Sequence, residues 1–300
     1  MIKNILFVLF LPVLAACQSG NGPHSERGSV DNDIYAGDDR TVLSEEFIGD
    51  IVYSFSSIVE IPALIKDMGV PYSETFLLST EKTDGCHNNF ERAFLLGALG
   101  TNLGYMNMYN RTNDLPEYLG ALRRLTDSVL LSHLFNFVEL AELAVRDSNQ
   151  GLLMNIYMQG YNRTDQYLRE DKRAYLSTAI ISGVWIEGLY LLTRAAAMQP
   201  DGIIFERIGE QKIILNDLII ILRSHEKKHQ EFSVLIEMLA SLKEEFDQVE
   251  IVYEVGEPHA VERNGMLIIV QNQTSTVNID RERVLNIISK TENIRNILIL

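Results

Sequence analysis

Residues 171–198 read DKRAYLSTAIISGVWIEGLYLLTRAAAM, and this stretch decides the fold class. Apolar residues dominate it and no proline interrupts it, which predicts a helix over the whole stretch. One carboxylate, Glu187, lies among Val184, Ile186 and Leu189. Because a carboxylate is costly to bury without partners, we expect Glu187 to have hydrogen-bonding groups close to it.

Further helices are predicted on both sides of this stretch. The connections between them are short and polar, which is typical of antiparallel neighbours in a compact bundle. At 249–255 and 266–271 the residues become β-branched and apolar, which predicts a small hairpin or a pair of extended strands. The sequence therefore predicts a mainly all-α fold, a multi-helix bundle with a small β addition at about 249–272. The other predicted helices cover 44–60, a short piece between Pro62 and Gly69, 89–109, a segment starting at 114–117, 136–147, 150–169, 203–223, 231–246 and a last helix that Asp280 caps.

Two of the apolar helices carry clusters of glycine. Gly97, Gly100 and Gly104 lie in the helix at 89–109, and Gly183 and Gly188 lie in the helix at 171–198. Glycine inside a helix costs about 1 kcal/mol relative to alanine, so a cluster indicates close backbone approach. Tight helix packing is the favoured interpretation, and a groove where a ligand meets the backbone is the alternative.

The same two helices each contain a single polar residue in apolar surroundings, Asn102 and Glu187. Buried polar groups need hydrogen-bond partners, so we predict that the two helices pack together and that these residues share one polar pocket. Trp185, Tyr105 and Tyr190 are the expected aromatic neighbours, interpreted as core residues rather than as a binding cage. The pairing is predicted to be structural, and Glu187→Leu is expected to be tolerated or mildly perturbing.

The first residues are typical of an export signal. Lys3 precedes a short apolar run at 5–16, which is too short to span a bilayer. The run ends in LAAC at 14–17, a sequence that resembles a bacterial lipobox, in which Cys17 receives lipid and becomes the first residue of the mature chain. An ordinary secretory signal that happens to contain a cysteine is the alternative. We predict a signal peptide at 1–16, a lipid-anchored flexible tether at 17–40 and a helical body at 41–300.

Charge and the residue after Cys17 indicate the location and the partners. The formal net charge is −15, which disfavours nucleic acid and direct docking on anionic headgroups. Position 18 is Gln rather than the Asp of an inner-membrane retention signal, so we expect the outer membrane and its periplasmic face. The expected partners are the membrane, through the lipid on Cys17, and a protein or small molecule of unknown identity. The most apolar later segment, 213–222, is interrupted by Asn216 and Asp217 and is interpreted as a buried helix.

The sequence HEKKH at 225–229 matches a zinc-peptidase motif. On one continuous helix His225 and His229 would bind Zn²⁺ and Glu226 would activate water. Lysines at the two middle positions oppose this interpretation, because that helix is normally buried in zinc peptidases. The segment also lies where two helices of ordinary length meet, so we predict an exposed corner at 224–230 that binds no metal.

Other motifs of enzyme chemistry give weaker indications. Cys86 and His87 are adjacent, and adjacent side chains point apart on a helix or a strand, so a loop cysteine without a role is predicted. The sequence contains no serine-hydrolase elbow, phosphate-binding glycine loop, CxxC pair or dinucleotide fingerprint. No cofactor is therefore expected.

Three segments together resemble those of an uncharacterised group of helical lipoproteins from Bacteroidetes-type bacteria. They are SIVEIP at 57–62, LGTNLGY at 99–105 and GVWIEGLY at 183–190, of which the last is the most specific. The resemblance covers residues 45–250 and implies a helical lipoprotein without an established activity. Asn102 departs from the Asp of the group, which weakens any idea of a paired-carboxylate site. The predicted function is a non-catalytic binding or scaffold lipoprotein, with a zinc peptidase as the alternative.

Overall fold

The computed structural model describes residues 60–111, 113–144, 150–255, 259–263, 266–270 and 273–299. The predicted signal peptide, tether and helix at 44–60 lie outside these residues, apart from Glu60. Within them the predicted all-α bundle is confirmed. Its helices are α1 (Ile61–Asp67), α2 (Asn89–Met108), α3 (Leu115–Ser128), α4 (Phe137–Ala144), α5 (Gln150–Glu170), α6 (Ala174–Met198), α7 (Gly202–Glu226), α8 (Gln230–Asp247) and α9 (Arg281–Ile299), with short 3-10 turns at Glu74–Phe76, Thr80–Gly85 and Ser132–Leu134.

The small β addition is also present, with more strands than predicted. Its strands are β1 (Glu250–Val255), β2 (His259–Arg263), β3 (Met266–Val270) and β4 (Gln273–Asn278). The two predicted segments do not pair with each other. β1 pairs with β4, and β2 pairs antiparallel with β3 from His259 opposite Val270 to Arg263 opposite Met266. β2 is short and its sequence HAVER does not alternate polar with apolar residues, so it gives only a weak strand signal. Of the described residues, those from 252 to 276 belong to one compact unit, and those from 60 to 251 and from 277 to 299 belong to the bundle unit.

α6 is the central helix of the bundle. It contacts α1, α2, α5, α7 and α9, and most of its side chains are buried. It has 25 residues, and an 18-residue window of it has a mean hydropathy of 1.4, which gives α6 the length and composition of a membrane span, but 94% of that window is buried in the bundle. α7, which contains 213–222, buries Leu215, Leu218 and Leu222, as predicted for this segment.

The glycines allow α2 and α6 to cross with their backbones in contact. A Cβ added at Gly97 would lie 2.0 Å from the Ile180 carbonyl oxygen, and one at Gly183 would lie 1.9 Å from the Phe94 carbonyl oxygen. No side chain fits at these distances, so alanine at either position requires the helices to separate. The contact confirms the packing interpretation for these two glycines, and it brings the polar residues of α2 and α6 to one level of the core.

Helix ends follow the local signals. The Asn88 side chain accepts from the Glu91 amide at 2.9 Å at the start of α2, and Asp201 accepts from the Ile203 amide at 2.7 Å at the start of α7. Asp280 accepts from the Arg283 amide at 2.7 Å, as predicted for the last helix. Side-chain acceptors at these positions satisfy amides that have no partner within the helix, and they fix where each helix begins.

Candidate functional site

Glu187 is fully buried in the middle of α6, and Asn102 of α2 binds it directly. The Asn102 Nδ2 donates to Glu187 Oε1 at 2.6 Å, and both side chains are 0% exposed. The structure therefore contains the hydrogen bond predicted between these residues, which are 85 positions apart in the chain. It follows from the α2–α6 crossing, since the glycines let the two short polar side chains meet.

Arg295 of α9 is the counter-charge of Glu187, and sequence reasoning missed it. Its Nε donates to Glu187 Oε2 at 2.7 Å and its Nη2 donates to Glu187 Oε1 at 2.8 Å. This two-point geometry is the strongest arrangement for an arginine and a carboxylate. The Arg295 side chain is only 9% exposed and that of Glu187 is 0% exposed, so water screens the pair little. The site is thus a buried ion pair rather than a lone carboxylate.

Backbone groups from the segment between α1 and α2 complete the network. The Leu78 amide donates to Asn102 Oδ1 at 2.6 Å, and Arg295 Nη2 also donates to the Phe76 carbonyl at 3.4 Å. The Tyr118 hydroxyl, from α3, donates to the Leu78 carbonyl at 2.5 Å. The network therefore ties the segment at 76–78 to four helices: α2, α3, α6 and α9.

The Tyr190 ring forms one wall of the site. The Arg295 guanidinium carbon lies 3.9 Å from the centre of this ring, a cation–π contact. Burial lowers the pKa of Arg295, but the hydrogen bonds and charge of Glu187 raise it more, so its net shift is upward. Burial raises the pKa of Tyr190 despite the nearby Arg295 and Arg194. Arg295 is therefore cationic and Tyr190 is neutral at physiological pH.

Two other aromatic residues that were expected in the pocket are buried but bind elsewhere. Trp185 Nε1 donates to Gln211 Oε1 of α7 at 3.2 Å. The Tyr105 hydroxyl accepts from the Ser73 amide at 3.0 Å, and the Tyr105 ring stacks on Tyr72 at 5.3 Å. Of the predicted set, the structure joins Asn102, Glu187 and Tyr190 in one site, whereas the polar atoms of Trp185 and Tyr105 have other partners.

The chemistry of Glu187 is that of a structural group. Its two oxygens accept three hydrogen bonds, one from Asn102 and two from Arg295. A carboxylate enclosed in this way has its acceptor positions occupied by protein donors. The expectation that Glu187→Leu is tolerated or mildly perturbing considered Asn102 alone. Because the substitution would also leave the buried Arg295 unpaired, we now expect a larger loss of stability.

The HEKKH segment forms the predicted corner, because α7 ends at Glu226 and α8 begins at Gln230. His225 is in the last turn of α7, whereas His229 has extended backbone angles, φ −138° and ψ 102°. The two histidines are therefore not on one continuous helix, as a helical HExxH site requires. Within the described residues, no group of three or more His, Cys, Asp or Glu side chains is arranged to hold a metal ion.

The prediction that the corner is fully exposed is wrong for its histidines. The His229 ring stacks on Tyr175 at 3.9 Å, and the rings of His225 and His229 lie 5.5 Å and 6.1 Å from the buried Phe232. Burial, with the nearby His229, lowers the pKa of His225 to about 4. The His225 and His229 rings pack against aromatic side chains where the corner meets the bundle. The charged sequence HEKKH did not indicate this packing.

Cys86 is a half-buried free thiol after the 3-10 turn Thr80–Gly85. Burial raises the pKa of this thiol to about 11. The thiolate is the nucleophilic form, so Cys86 is unreactive near neutral pH. The nearby His87 amide donates to Glu91 Oε2 at 2.6 Å, as part of the start of α2.

A sequence signal for Arg295 does exist. In α9 the buried residues Ile287, Thr291 and Arg295 follow one another at intervals of four, so Arg295 lies on the stripe that faces the core. An arginine on such a stripe needs a buried carboxylate, and Glu187 on the apolar helix needs a cation.

Comparison of the whole chain with protein-family models, curated proteins and solved structures finds no match.

Proposed function

We propose that this chain is a lipid-anchored, non-catalytic binding or scaffold protein of the bacterial cell envelope. The observation that carries the anchor is the sequence LAAC at 14–17 after a short apolar run. Lipid on Cys17 would hold the protein at the outer membrane, on its periplasmic face, and residues 17–40 would link the lipid to the helical body. Kinship with the helical lipoproteins of Bacteroidetes-type bacteria is part of the same proposal.

The non-catalytic part of the proposal is supported by how the polar core is used. The buried Glu187 is bound by Asn102 and Arg295, and the thiol of Cys86 has a pKa of about 11. The hydrogen bonds to Glu187 and the raised pKa of the Cys86 thiol both support a role other than catalysis for these two groups. The acidic surface favours protein or small-molecule partners over nucleic acid.

Replacement of Cys17 tests the anchor. Cells expressing the chain, or Cys17→Ser, would be labelled with a fatty acid and fractionated. We expect the label and the membrane association to be lost in Cys17→Ser, because lipid supplies the membrane affinity. Cys86→Ser is the matched control and should keep both. Cys17→Ser protein that stays in the membrane fraction after a high-salt wash would contradict the proposal.

A zinc peptidase using His225, Glu226 and His229 is the second candidate, because the sequence HEKKH at 225–229 matches the motif of that class. We predict that the segment binds no metal, because the chain turns between the two histidines. The measurement is elemental analysis and zinc titration of the mature chain beside His225→Ala. One equivalent of zinc in the unsubstituted chain, lost in His225→Ala, would support the peptidase instead.

A further inference from the structure

The last described helix, α9, is held to the bundle by several ion pairs as well as by apolar packing. Besides Glu187–Arg295, Arg194 of α6 lies 3.6 Å from Glu292. Glu245 of α8 binds Lys290 at 2.8 Å and also pairs with Arg283. The apolar part of the contact consists of the buried Val284, Ile287, Ile294 and Ile299, with Ile288 and Leu298 partly buried against the core.

The hydrogen bonding of this contact is incomplete. Within the described residues, four buried side-chain atoms have no hydrogen-bond partner, and three of them belong to this interface. They are Thr291 Oγ1 and Arg283 Nε on α9, and Arg194 Nε, whose guanidinium pairs with Glu292 of α9. Each such atom would gain a hydrogen bond to water if α9 moved away, which offsets part of the cost of release.

The buried ion pair between Glu187 and Arg295 also reduces the net cost of releasing α9. Removing two charges from water costs about as much as their attraction returns, so such a pair contributes little net stability. The pair nevertheless fixes the position of α9 on α6, because Glu187 and Arg295 must meet in a two-point geometry. The pair therefore holds α9 in one register, while both charges recover their hydration on release.

The chain connections also allow α9 to move by itself. α9 follows β4 after a short connection and is the last helix among the described residues. Before it, β4 is held by β1, and Asn278 Nδ2 donates to Glu250 Oε2 at 3.1 Å. Only Ile279 and Asp280 lie between β4 and α9, and the Asp280 cap belongs to α9. These two residues are the natural pivot.

We propose that α9 is a latch that opens as a unit at 279–280 while α2 and α6 stay folded. In the closed state Arg295 covers Glu187, and the open state gives water and solutes access to Glu187 and Asn102. The inference is independent of the lipid anchor and of the proposed binding role, because it concerns only contacts within the bundle.

Hydrogen–deuterium exchange of the whole mature chain carrying Cys17→Ser tests the latch. We expect the amides of 281–299 to exchange at least tenfold faster than those of 89–108 and 174–198, and with weaker dependence on urea, because local opening exposes little surface. Equal protection of α9 and of these two core helices would overturn the proposal.

A double variant tests the role of the ion pair. Glu187→Leu with Arg295→Met replaces both charges by apolar groups, so release no longer recovers their hydration. We expect exchange of 281–299 to slow about tenfold, with α2 and α6 unchanged, whereas Glu292→Gln on the exposed pair should change it less than twofold. Unchanged exchange of α9 in a folded double variant would overturn the proposed role of the pair. Should the double variant not fold, the comparison of helices in the unsubstituted chain still decides whether α9 opens alone.

Discussion

The interpretation of Glu187 changes once its hydrogen-bond partners are known. In the sequence it is an acid in an apolar helix, which suggests either a functional carboxylate or a structural one. In the structure it accepts three hydrogen bonds from Asn102 and Arg295 and is 0% exposed. Through Asn102 and Arg295, Glu187 holds the segment at 76–78 and α9 against the central helix α6.

The first prediction concerns the loss of this carboxylate. Glu187→Leu should lower the free energy of unfolding by about 3–5 kcal/mol, because it leaves the Arg295 cation buried without a counter-charge. Urea denaturation followed by circular dichroism measures the change. The control is Glu292→Gln, which removes an exposed ion pair between the same two helices and should cost about 1 kcal/mol or less. Equal effects of the two substitutions would contradict the assignment of a buried pair.

At the scale of elements, the crossing of α2 and α6 is the contact on which the site depends. These two helices have the most extensive contact among the described elements, and their backbones touch at Gly97 and Gly183. Thr101 adds a hydrogen bond from its hydroxyl to the Val184 carbonyl at 3.4 Å. The distance between the helices decides whether Asn102 reaches Glu187.

The second prediction tests this crossing. Gly183→Ala should destabilise the chain by about 1–3 kcal/mol or more, because its Cβ would lie 1.9 Å from a backbone oxygen that cannot rotate away. The measurement is the midpoint of thermal or urea unfolding. Gly120→Ala in α3 is the matched control, since its nearest neighbour would be Arg124 at 3.8 Å. Alanine there should stabilise the chain by about 0.5–1 kcal/mol because it favours the helix. A neutral Gly183→Ala would show that the helices do not touch in this way.

The third prediction uses the tie between α8 and α9. The hydrogen bond from Lys290, with those from Arg283 and Asn286, lowers the pKa of Glu245 to about 2 from an ordinary value of 4.5. A depressed carboxyl pKa stabilises the folded chain above the unfolded value, and this contribution is lost as the pH falls from about 4.5 to about 2.

Glu245→Gln should therefore destabilise the chain at pH 7, and its difference from the unsubstituted chain should shrink between pH 4.5 and pH 2. Urea midpoints measured across this range give the difference. Glu244→Gln, on the exposed neighbour, is the control and should give a small difference at every pH. A Glu245→Gln difference that stays constant down to pH 2 would refute the tie.

At the scale of the whole molecule, the bundle is arranged around α6. This helix has the hydropathy of a membrane span, yet 94% of its apolar stretch is buried against other helices. Its apolar surface is therefore used within the bundle, which is consistent with a proposed anchor that depends on Cys17 rather than on α6. The membrane test with Cys17→Ser separates these two origins of membrane affinity.

Much of the fold could be predicted because its signals are local. Apolar runs, caps such as Asp280 and the Pro-Asp-Gly sequence at 200–202 act within a few residues, so the described helix boundaries agree with the predicted ones within three residues at most ends. The strand pairing was predicted less well. The sequence of β2 gives only a weak strand signal. Which strands pair depends on all four strands together, since β1 pairs with β4 and β2 pairs with β3.

What the sequence by itself determined is the helical class, the positions of the helices and the need of Glu187 and Asn102 for polar partners. The tertiary structure alone decided which partners they have. Arg295 lies 108 residues from Glu187, and Leu78 lies 24 residues from Asn102. The tertiary structure likewise decided which rings lie beside His225 and His229 in the predicted corner, namely Tyr175 and Phe232. The physical reason is that helix formation depends on neighbours in the chain, whereas the pairing of buried charges depends on which helices pack together.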